Sequence, residues 1–206
     1  MMTLGTIEAL REQVRGRMSE KRYLHTLGVE KEMRCLAAAL DPSLLEEAVI
    51  AALLHDVTKC FTKEEQLSYC RENGIEIDDD ERLAPALLHA KTGAHYAKNV
   101  FPDLVTDAVA DAILRHTTAH PPLSLLAAML FVADFTEEGR DYPDCIALRD
   151  HLHTSELYGE NALAHFQTVL LAAMDTSLLE LLRERRPIAL RSVEARNAVL
   201  SGAILF

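Results

Sequence analysis

The sequence contains a helical run rich in Ala and Leu, residues 46–54, that ends in a histidine followed by an aspartate. An imidazole and a carboxylate are costly to bury unless other groups pair with them. A divalent metal would supply that pairing, because neutral imidazole and ionised carboxylate are both ligands of first-row metals. One such pair cannot complete a metal shell. The pair His55-Asp56 therefore predicts a fold in which further ligands arrive from other helices.

Composition favours an all-helical fold. Hydrophobic residues make up 49% of the 206 residues, and Ala and Leu dominate among them. The 8 glycines and 7 prolines fall between helical patterns rather than at hairpin spacing, which favours helices over strands. We predict an all-α fold with a single domain over residues 1–206. The motif-bearing core is expected at about 19–142 and the C-terminal helices at 155–206.

Charge and cysteine content restrict the partners and the compartment. The net charge is −11, which opposes extended contact with nucleic acid, because such binding relies on many phosphate contacts. The four cysteines show no CxxC spacing, as in a reduced cytoplasm. The first residues lack the pattern of a signal peptide, and no apolar run approaches the roughly 20 residues that span a bilayer. We expect a cytoplasmic protein with neither nucleic acid nor membrane as a partner, and a homodimer stays an open alternative.

Capping residues and apolar periodicity predict the helix boundaries. Ser19 is expected to cap a helix that ends before Pro42, and a central helix is expected over residues 44–58. The acidic residues 77–81 are predicted to form a solvated loop. Further helices are predicted over residues 4–17, 63–73, 86–99, 104–117 with Asp103 as cap, 124–135, and 155–186 with a break near Asp175.

Four other residues lie in or at the end of apolar helical stretches: His25, His89, His116 and Asp134. Each histidine alone is more often a hydrogen-bonded core residue than a ligand. Asp134 could instead cap the turn that follows it or pair with Arg140. Taken together, the residues belong to one helical bundle, and such bundles build metal sites from side chains that project inward from facing helices.

A series of motifs extends over about residues 20–200. They are Lys21-Arg22-Tyr23-Leu24-His25, Leu54-His55-Asp56, Leu88-His89, Arg115-His116-Thr117-Thr118, Ala133-Asp134, Gly139-Arg140-Asp141-Tyr142-Pro143, Arg186-Pro187-Ile188 and Glu194-Ala195-Arg196-Asn197. In order and local context they resemble the HD-domain metal-dependent phosphohydrolase superfamily. Within it, the chain is most similar to the HD-domain symmetrical dinucleoside tetraphosphatases.

The resemblance implies a single HD-domain helical bundle that holds a metal. The implied primary metal ligands are His25, His55, Asp56 and Asp134. Iron is the implied metal, although manganese or another divalent metal also suits mixed histidine and carboxylate ligands. A second metal is left open.

The implied catalytic residues are Asp56, Lys59, His89 and His116. Asp56 could bridge to a second metal or orient the attacking water. His89 and His116 either hold a second metal or contact substrate phosphate, and phosphate contact is favoured because the pattern shows no additional carboxylate beside them. Lys59 lies one helical turn after His55, on the same face.

The implied substrate-binding residues are Arg22, His25, Lys59, His89, His116, Asp134 and Arg140. Three of them, Arg22, Lys59 and Arg140, are cations that would neutralise phosphates. For each of these three the alternative is a surface ion pair. The chain departs from the usual family pattern at Lys91-Thr92 and at Ala119-His120. These departures concern substrate preference rather than the metal ligands.

The implied reaction is hydrolysis of diadenosine tetraphosphate, a small-molecule nucleotide, between its middle phosphates to give two ADP. The symmetry of this cleavage comes only from the resemblance. One alternative is an HD phosphohydrolase that acts on another nucleotide, such as a nucleoside monophosphate, and releases inorganic phosphate. Another is a non-catalytic nucleotide-binding protein whose metal is structural.

Overall fold

Helices form the framework of the described chain. A computed structural model describes residues 4–202, and residues 1–3 and 203–206 lie outside that range. Across residues 4–202 the structure contains α-helices and three short 3-10 helices, with no strand, which confirms the all-α prediction. The α-helices are α1 (Leu4–Arg15), α2 (Glu20–Leu40), α3 (Leu45–Leu54), α4 (Lys63–Glu72), α5 (Asp79–Leu83), α6 (Leu88–Val100), α7 (Asp107–Arg115), α8 (Leu125–Thr136), α9 (Pro143–Leu152), α10 (Ala162–Arg183) and α11 (Leu190–Leu200).

Helix α8 lies in the core and packs against α2, α3, α7, α9 and α10. The Ser124 hydroxyl caps it by accepting a hydrogen bond from the Ala127 amide, so Ser124 precedes the helix in which the sequence pattern placed it. The eight residues from Leu126 to Ala133 are all buried, and burial of each Leu, Phe or Met side chain stabilises the fold by about 1.5–3 kcal/mol. The next residue, Asp134, is only partly buried. Core packing of α8 therefore fixes the position of this carboxylate at the edge of the core.

The central helix is shorter than the sequence pattern predicts. Helix α3 ends at Leu54, whereas the prediction extended it to residue 58. Beyond Leu54 the backbone forms tight turns, with the Val57 amide bonded to the Leu54 carbonyl and the Lys59 amide bonded to the Asp56 carbonyl. The Thr58 carbonyl accepts a hydrogen bond from the Gln66 side chain of α4. Tertiary hydrogen bonds thus replace the helical pattern at the position of the His-Asp pair.

Other boundaries also differ from the predictions. Thr106 rather than Asp103 caps α7, because its hydroxyl accepts a hydrogen bond from the Val109 amide. The predicted acidic loop contains α5, which begins with a capping box between Asp78 and Glu81. The predicted long C-terminal helix is split into the 3-10 helix Ser155–Tyr158 and α10. Helix α10 is continuous through Asp175, so the predicted break is wrong.

Helix α10 is, within the described residues, the one helix long and apolar enough to span a membrane by length and composition alone. The sequence-based statement that no apolar run approaches this length is therefore corrected for α10. The core helix of a soluble protein passes the same test. Helix α10 packs against α8, α9 and α11 and buries Phe166, Val169 and Leu170 completely.

Candidate metal centre

Six side chains converge where α2, α6, α7, α8 and the turn after α3 meet. Helix α2 supplies His25 and α8 supplies Asp134. The turn after α3 supplies His55 and Asp56, α6 supplies His89, and His116 follows the last residue of α7. The structure thus brings together all six residues that the sequence motifs predict. We call these six residues the metal cluster.

The metal cluster consists of two groups of three ligand atoms, each group lying within 4.8 Å. The first group is His25, His55 and Asp134, and the second is Asp56, His89 and His116. Asp56 lies between them. Its Oδ1 atom is 3.3 Å from His89 Nε2 and 3.7 Å from His116 Nε2. Its Oδ2 atom is 3.6 Å from His55 Nε2 and 4.0 Å from His25 Nε2, so one carboxylate faces both groups.

Hydrogen bonds set the orientation of the histidine rings. The Nδ1 atoms of His55, His89 and His116 lie 2.7, 2.5 and 2.7 Å from the carbonyl oxygens of the residues three positions earlier. A carbonyl oxygen only accepts, so each Nδ1 carries the proton and each Nε2 directs a lone pair into the cluster. Metal-binding histidines are commonly held in this way through the second ring nitrogen.

The arrangement of these lone pairs fits a divalent cation. His25 Nε2 and His55 Nε2 are buried, and within the described residues neither has a hydrogen-bond partner. His25 Nε2 is 3.1 Å from Asp134 Oδ1, but the contact lacks hydrogen-bond geometry. His89 Nε2 and His116 Nε2 lie 3.1 Å apart. Two lone pairs at this distance repel each other unless a cation or a proton lies between them. The donor set therefore matches that of a site for a first-row divalent metal.

Glu137 supports the cluster, and the sequence analysis did not identify it. It is buried, and its Oε1 atom lies 3.1 Å from His25 Nδ1. Its Oε2 atom accepts a hydrogen bond from the Gly139 amide. A Cβ atom at Gly28 would lie 2.2 Å from Glu137 Oε2, so a glycine at position 28 gives this carboxylate room. In the sequence, the glycine one turn after His25 was the feature that could have indicated a side chain packed against α2 at this position.

Three cations reach the cluster, as the motifs predict. Arg22 Nη1 donates to Asp56 Oδ2 at 2.6 Å, and Arg140 Nη2 donates to Asp134 Oδ1 at 2.6 Å. The Lys59 ammonium lies 3.0 Å from His89 Nε2, although the residue as a whole is exposed. The two arginines therefore do form ion pairs, but their partners are carboxylates of the cluster itself rather than unrelated surface residues.

The electrostatic environment favours the protonation states of metal ligands. Burial lowers the pKa of His55 to about 4, so its imidazole is neutral at pH 7. Burial acts to raise the pKa of Asp56, but His55 and the other histidines hold it well below its ordinary value. Burial likewise opposes ionisation of Asp134, whose pKa is held well below its ordinary value by His25 and Arg140. Both carboxylates are therefore ionised.

His25 has the opposite shift. Burial lowers its pKa, but Asp134 and Glu137 outweigh this and raise it to about 9. In a cluster without a cation, His25 is therefore protonated at neutral pH. Metal binding to such a residue releases the proton, since only a neutral imidazole ligates.

A buried polar network holds the turn that carries the His-Asp pair. The Thr58 hydroxyl donates to the His89 carbonyl at 3.0 Å and lies 2.9 Å from the Thr92 hydroxyl, which contacts Gln66. Gly93 lies against the same turn, where a Cβ atom would be 3.4 Å from the His55 carbonyl oxygen. Gly93 therefore allows close packing of α6 against the turn.

A cavity of about 850 Å³ opens beside the cluster. Its walls are the N-terminal half of α2 and the segment between α8 and α9, including Arg22, His25, Gly28, Glu137 and Arg140. Its volume lies within the usual range for sites that hold small ligands. The cavity therefore connects solvent with the first group of the cluster.

Comparison with known proteins agrees with this geometry. Residues 22–138, more than half of the chain, match the HD domain family. The chain belongs to the HD-domain family. It is an HD-domain phosphohydrolase, and HD domains bind divalent metals.

Relatives match this HD-domain chain over nearly its whole length. A protein of Halalkalibacterium halodurans named symmetrical bis(5'-nucleosyl)-tetraphosphatase is 29% identical over 91% of this chain and 93% of its own. A Bacillus subtilis protein of the same name is 26% identical over 92% and 95%. The crystal structure of a Clostridium acetobutylicum protein, described as a predicted HD superfamily hydrolase involved in NAD metabolism, superimposes with a TM-score of 0.82 at 28% identity. This match covers 95% of this chain and 97% of the other.

Proposed function

We propose that this HD-domain protein hydrolyses diadenosine tetraphosphate symmetrically and releases two ADP. The observation that carries the proposal is the presence of two adjacent three-ligand groups. Asp56 belongs to the second group and also faces the first, and the cavity beside them is lined by Arg22 and Arg140. The names of the relatives from H. halodurans and B. subtilis supply the substrate. The proposed setting is the cytoplasm, where reduced cysteines are stable.

The proposed metal is iron, with manganese as the alternative. His25, His55 and Asp134 would hold one ion, with Asp56 as the ligand that faces both positions. His89 and His116 would hold a second ion with Asp56, which differs from the phosphate contact that the sequence pattern favoured. A bound metal lowers the pKa of water and polarises a phosphoryl oxygen. The proposed catalytic groups are therefore Asp56, Lys59 and this pair of histidines.

The cations of the site would bind and orient the polyphosphate. Hydrolysis at phosphorus depends on positioning and charge neutralisation more than on covalent chemistry. Arg22 contacts Asp56 through Nη1, and Arg140 contacts the carbonyl and the carboxylate of Asp134 through Nε and Nη2, whereas a guanidinium has five N–H donors. Their remaining donors suit bidentate contact with phosphate oxygens. Lys59 would place a further positive charge beside His89.

Two other functions are the alternatives to this proposal. One is an HD phosphohydrolase for a different nucleotide, and the description of the C. acetobutylicum protein gives a reason to include dinucleotides of the NAD type among the substrates tested. The other is a non-catalytic nucleotide-binding protein. The approach of Lys59, Arg22 and Arg140 to the cluster favours an enzyme, because catalytic sites keep groups for substrate beside the metal.

Metal analysis combined with product analysis tests the proposal. The protein is purified without chelator, its bound metal is quantified, and it is incubated with diadenosine tetraphosphate. We expect bound iron or manganese and ADP as the sole product on chromatography. ATP and AMP as products would reject symmetrical cleavage. Metal-loaded protein that releases no nucleotide from this substrate, but releases phosphate from a monophosphate, would establish the first alternative.

A further inference from the structure

The cavity beside the metal cluster has two exposed apolar side chains on its walls. Leu24 of α2 is 59% exposed, and Tyr142, which immediately precedes α9, is 63% exposed. Ligand pockets combine apolar and aromatic walls with a few well-placed polar groups. The polar groups of this cavity are the cations and ligands described above. The role of its apolar walls is not explained by binding of phosphate or metal.

Both apolar side chains lie close in the chain to a cation of the site. Along α2, Leu24 follows Arg22 by two residues and precedes Gly28 by four, about 6 Å along the axis. On the opposite wall Tyr142 follows Arg140 by two residues, and two residues span at most about 7 Å. A nucleotide whose phosphates contact these arginines therefore has its base within reach of Leu24 and Tyr142.

We infer that Tyr142 and Leu24 hold a nucleobase of the substrate at the exposed end of the cavity. The inference rests on the proposed function only in taking a nucleotide as the ligand. The tyrosine ring offers a flat face on which a base stacks, and the leucine covers apolar surface that water would otherwise contact. Stacking of this kind tolerates different bases, because every base has a π-face. We call Tyr142 and Leu24 together the base pocket. The base pocket thus selects nucleotides over inorganic phosphates rather than adenine over guanine.

The base pocket is tested by calorimetric titration of the Mn²⁺-loaded full chain, once with ADP and once with inorganic pyrophosphate. Tyr142→Ala removes the stacking ring, and Tyr142→Phe retains it. Tyr158 provides a matched control, since it is 64% exposed and does not line the cavity. Leu182, 60% exposed, is the corresponding control for Leu24.

Loss of base stacking weakens binding by roughly 5- to 150-fold per base. We expect Tyr142→Ala to raise the Kd for ADP by about tenfold and to leave the Kd for pyrophosphate unchanged. Tyr142→Phe should behave as wild type, and Leu24→Ala should weaken ADP binding by a smaller factor. Tyr158→Ala and Leu182→Ala should bind both ligands as wild type does.

Three results would overturn the inference. They are unchanged ADP binding in Tyr142→Ala, an equal loss for ADP and pyrophosphate, and failure of the wild type to bind ADP. Because binding is measured without turnover, the test is separable from the proposed function. If the protein does not cleave diadenosine tetraphosphate but Tyr142→Ala loses ADP binding, the base pocket is supported and the proposed substrate is rejected. Normal symmetrical cleavage with no effect of Tyr142→Ala on ADP binding would do the reverse.

Discussion

Two clusters of charged residues in this protein contain similar groups but differ in how those groups are satisfied. In the metal cluster, two buried imidazole nitrogens have no hydrogen-bond partner among the described residues, and six side chains face a common interior region. The second cluster joins α5, α6 and α11 through Asp78, Asp80, Glu81, Lys91 and Arg191. We call this second set the α11 clamp.

In the α11 clamp each carboxylate contacts a donor of the protein directly. Arg191 donates to Asp78 and Asp80, and the Leu190 amide donates to Asp80 at 3.0 Å. Lys91 donates to Glu81 at 2.7 Å. Across the described residues no group of potential metal ligands is found here. Both carboxylates of the metal cluster also accept from an arginine, so the difference lies in the histidines. It teaches that grouped carboxylates indicate a metal site when imidazole nitrogens converge on them and some of those nitrogens have no partner in the protein.

The largest predicted effect is loss of turnover when a shared ligand of the metal cluster is removed. His55→Ala and Asp56→Ala should each reduce kcat/KM for diadenosine tetraphosphate by about a thousandfold or more, because the groups that stabilise developing charge no longer act together. Chromatography of ADP measures the effect, and far-UV circular dichroism checks that the helices are retained. Asp80→Asn in the α11 clamp is the control and should keep wild-type turnover. Near-normal activity in a folded Asp56→Ala protein would refute the site.

Metal removal should lower the thermal stability of the protein through the metal cluster and not through the α11 clamp. A ligand at 100 times its Kd stabilises the native state by about 2.7 kcal/mol, which is roughly 5–11 °C in Tm for a chain of this size. We expect Mn²⁺ to raise the Tm of chelator-treated wild type by this amount, measured by calorimetry. Asp56→Ala should lose most of the shift, whereas Asp80→Asn should retain it. An equal shift in all three proteins would place the bound metal elsewhere.

Support of His25 by Glu137 should matter less than the ligands themselves. Changes to residues that orient metal ligands typically cost 10- to 100-fold in metal affinity or activity. Gly28→Ala places a Cβ atom 2.2 Å from Glu137 Oε2 and displaces that carboxylate, so it should weaken Mn²⁺ binding by about tenfold, as should Glu137→Gln. Gly16→Ala is the matched control, because its Cβ atom meets nothing closer than 3.8 Å. If Gly28→Ala binds Mn²⁺ as tightly as Gly16→Ala does, Glu137 does not position His25.

The smallest predicted effect concerns the α11 clamp and acid pH. Partial burial acts to raise the pKa of Asp78 and Asp80, but hydrogen bonds from backbone amides and Arg191 hold both pKa values below the ordinary value. A lowered folded-state pKa contributes stability above the unfolded pKa of about 4 and loses it as pH falls through the folded pKa. Arg191→Gln should therefore destabilise the protein by roughly 1 kcal/mol near pH 7, and by less near pH 3.

Urea denaturation of Arg191→Gln at both pH values measures this difference. Arg186→Gln is the control, since the Arg186 side chain pairs, among residues 4–202, only with the exposed Glu184 two residues away. This variant should leave stability unchanged at either pH. A loss of stability in Arg191→Gln that is the same at pH 3 and pH 7 would exclude the ion pairs as its cause. Turnover should be unchanged in both variants, in contrast to the variants of the metal cluster.

By itself, the sequence determined the helical class and the identity of the six cluster residues. The helical class follows from local information, because the apolar period along each helix decides which side chains face the core. The choice of the six residues among the histidines and carboxylates also depended on the resemblance of their motifs to the HD-domain family. Capping at Ser19, which the sequence predicted, is equally local, because a hydroxyl that accepts from an amide three residues later needs no tertiary partner.

Only the tertiary structure decided how these residues are grouped. No spacing along the chain shows that Asp56 faces both halves of the cluster, that Glu137 reaches His25 over 112 positions, or that α3 stops at Leu54. The turn after α3 is held by α4 and α6: the Gln66 side chain donates to the Thr58 carbonyl, and the Thr58 hydroxyl donates to the His89 carbonyl. Likewise, the acidic residues of α5 were expected in a loop, but Arg191, more than a hundred positions away, supplies their partner. Such contacts depend on distances in space, which a helical period does not contain.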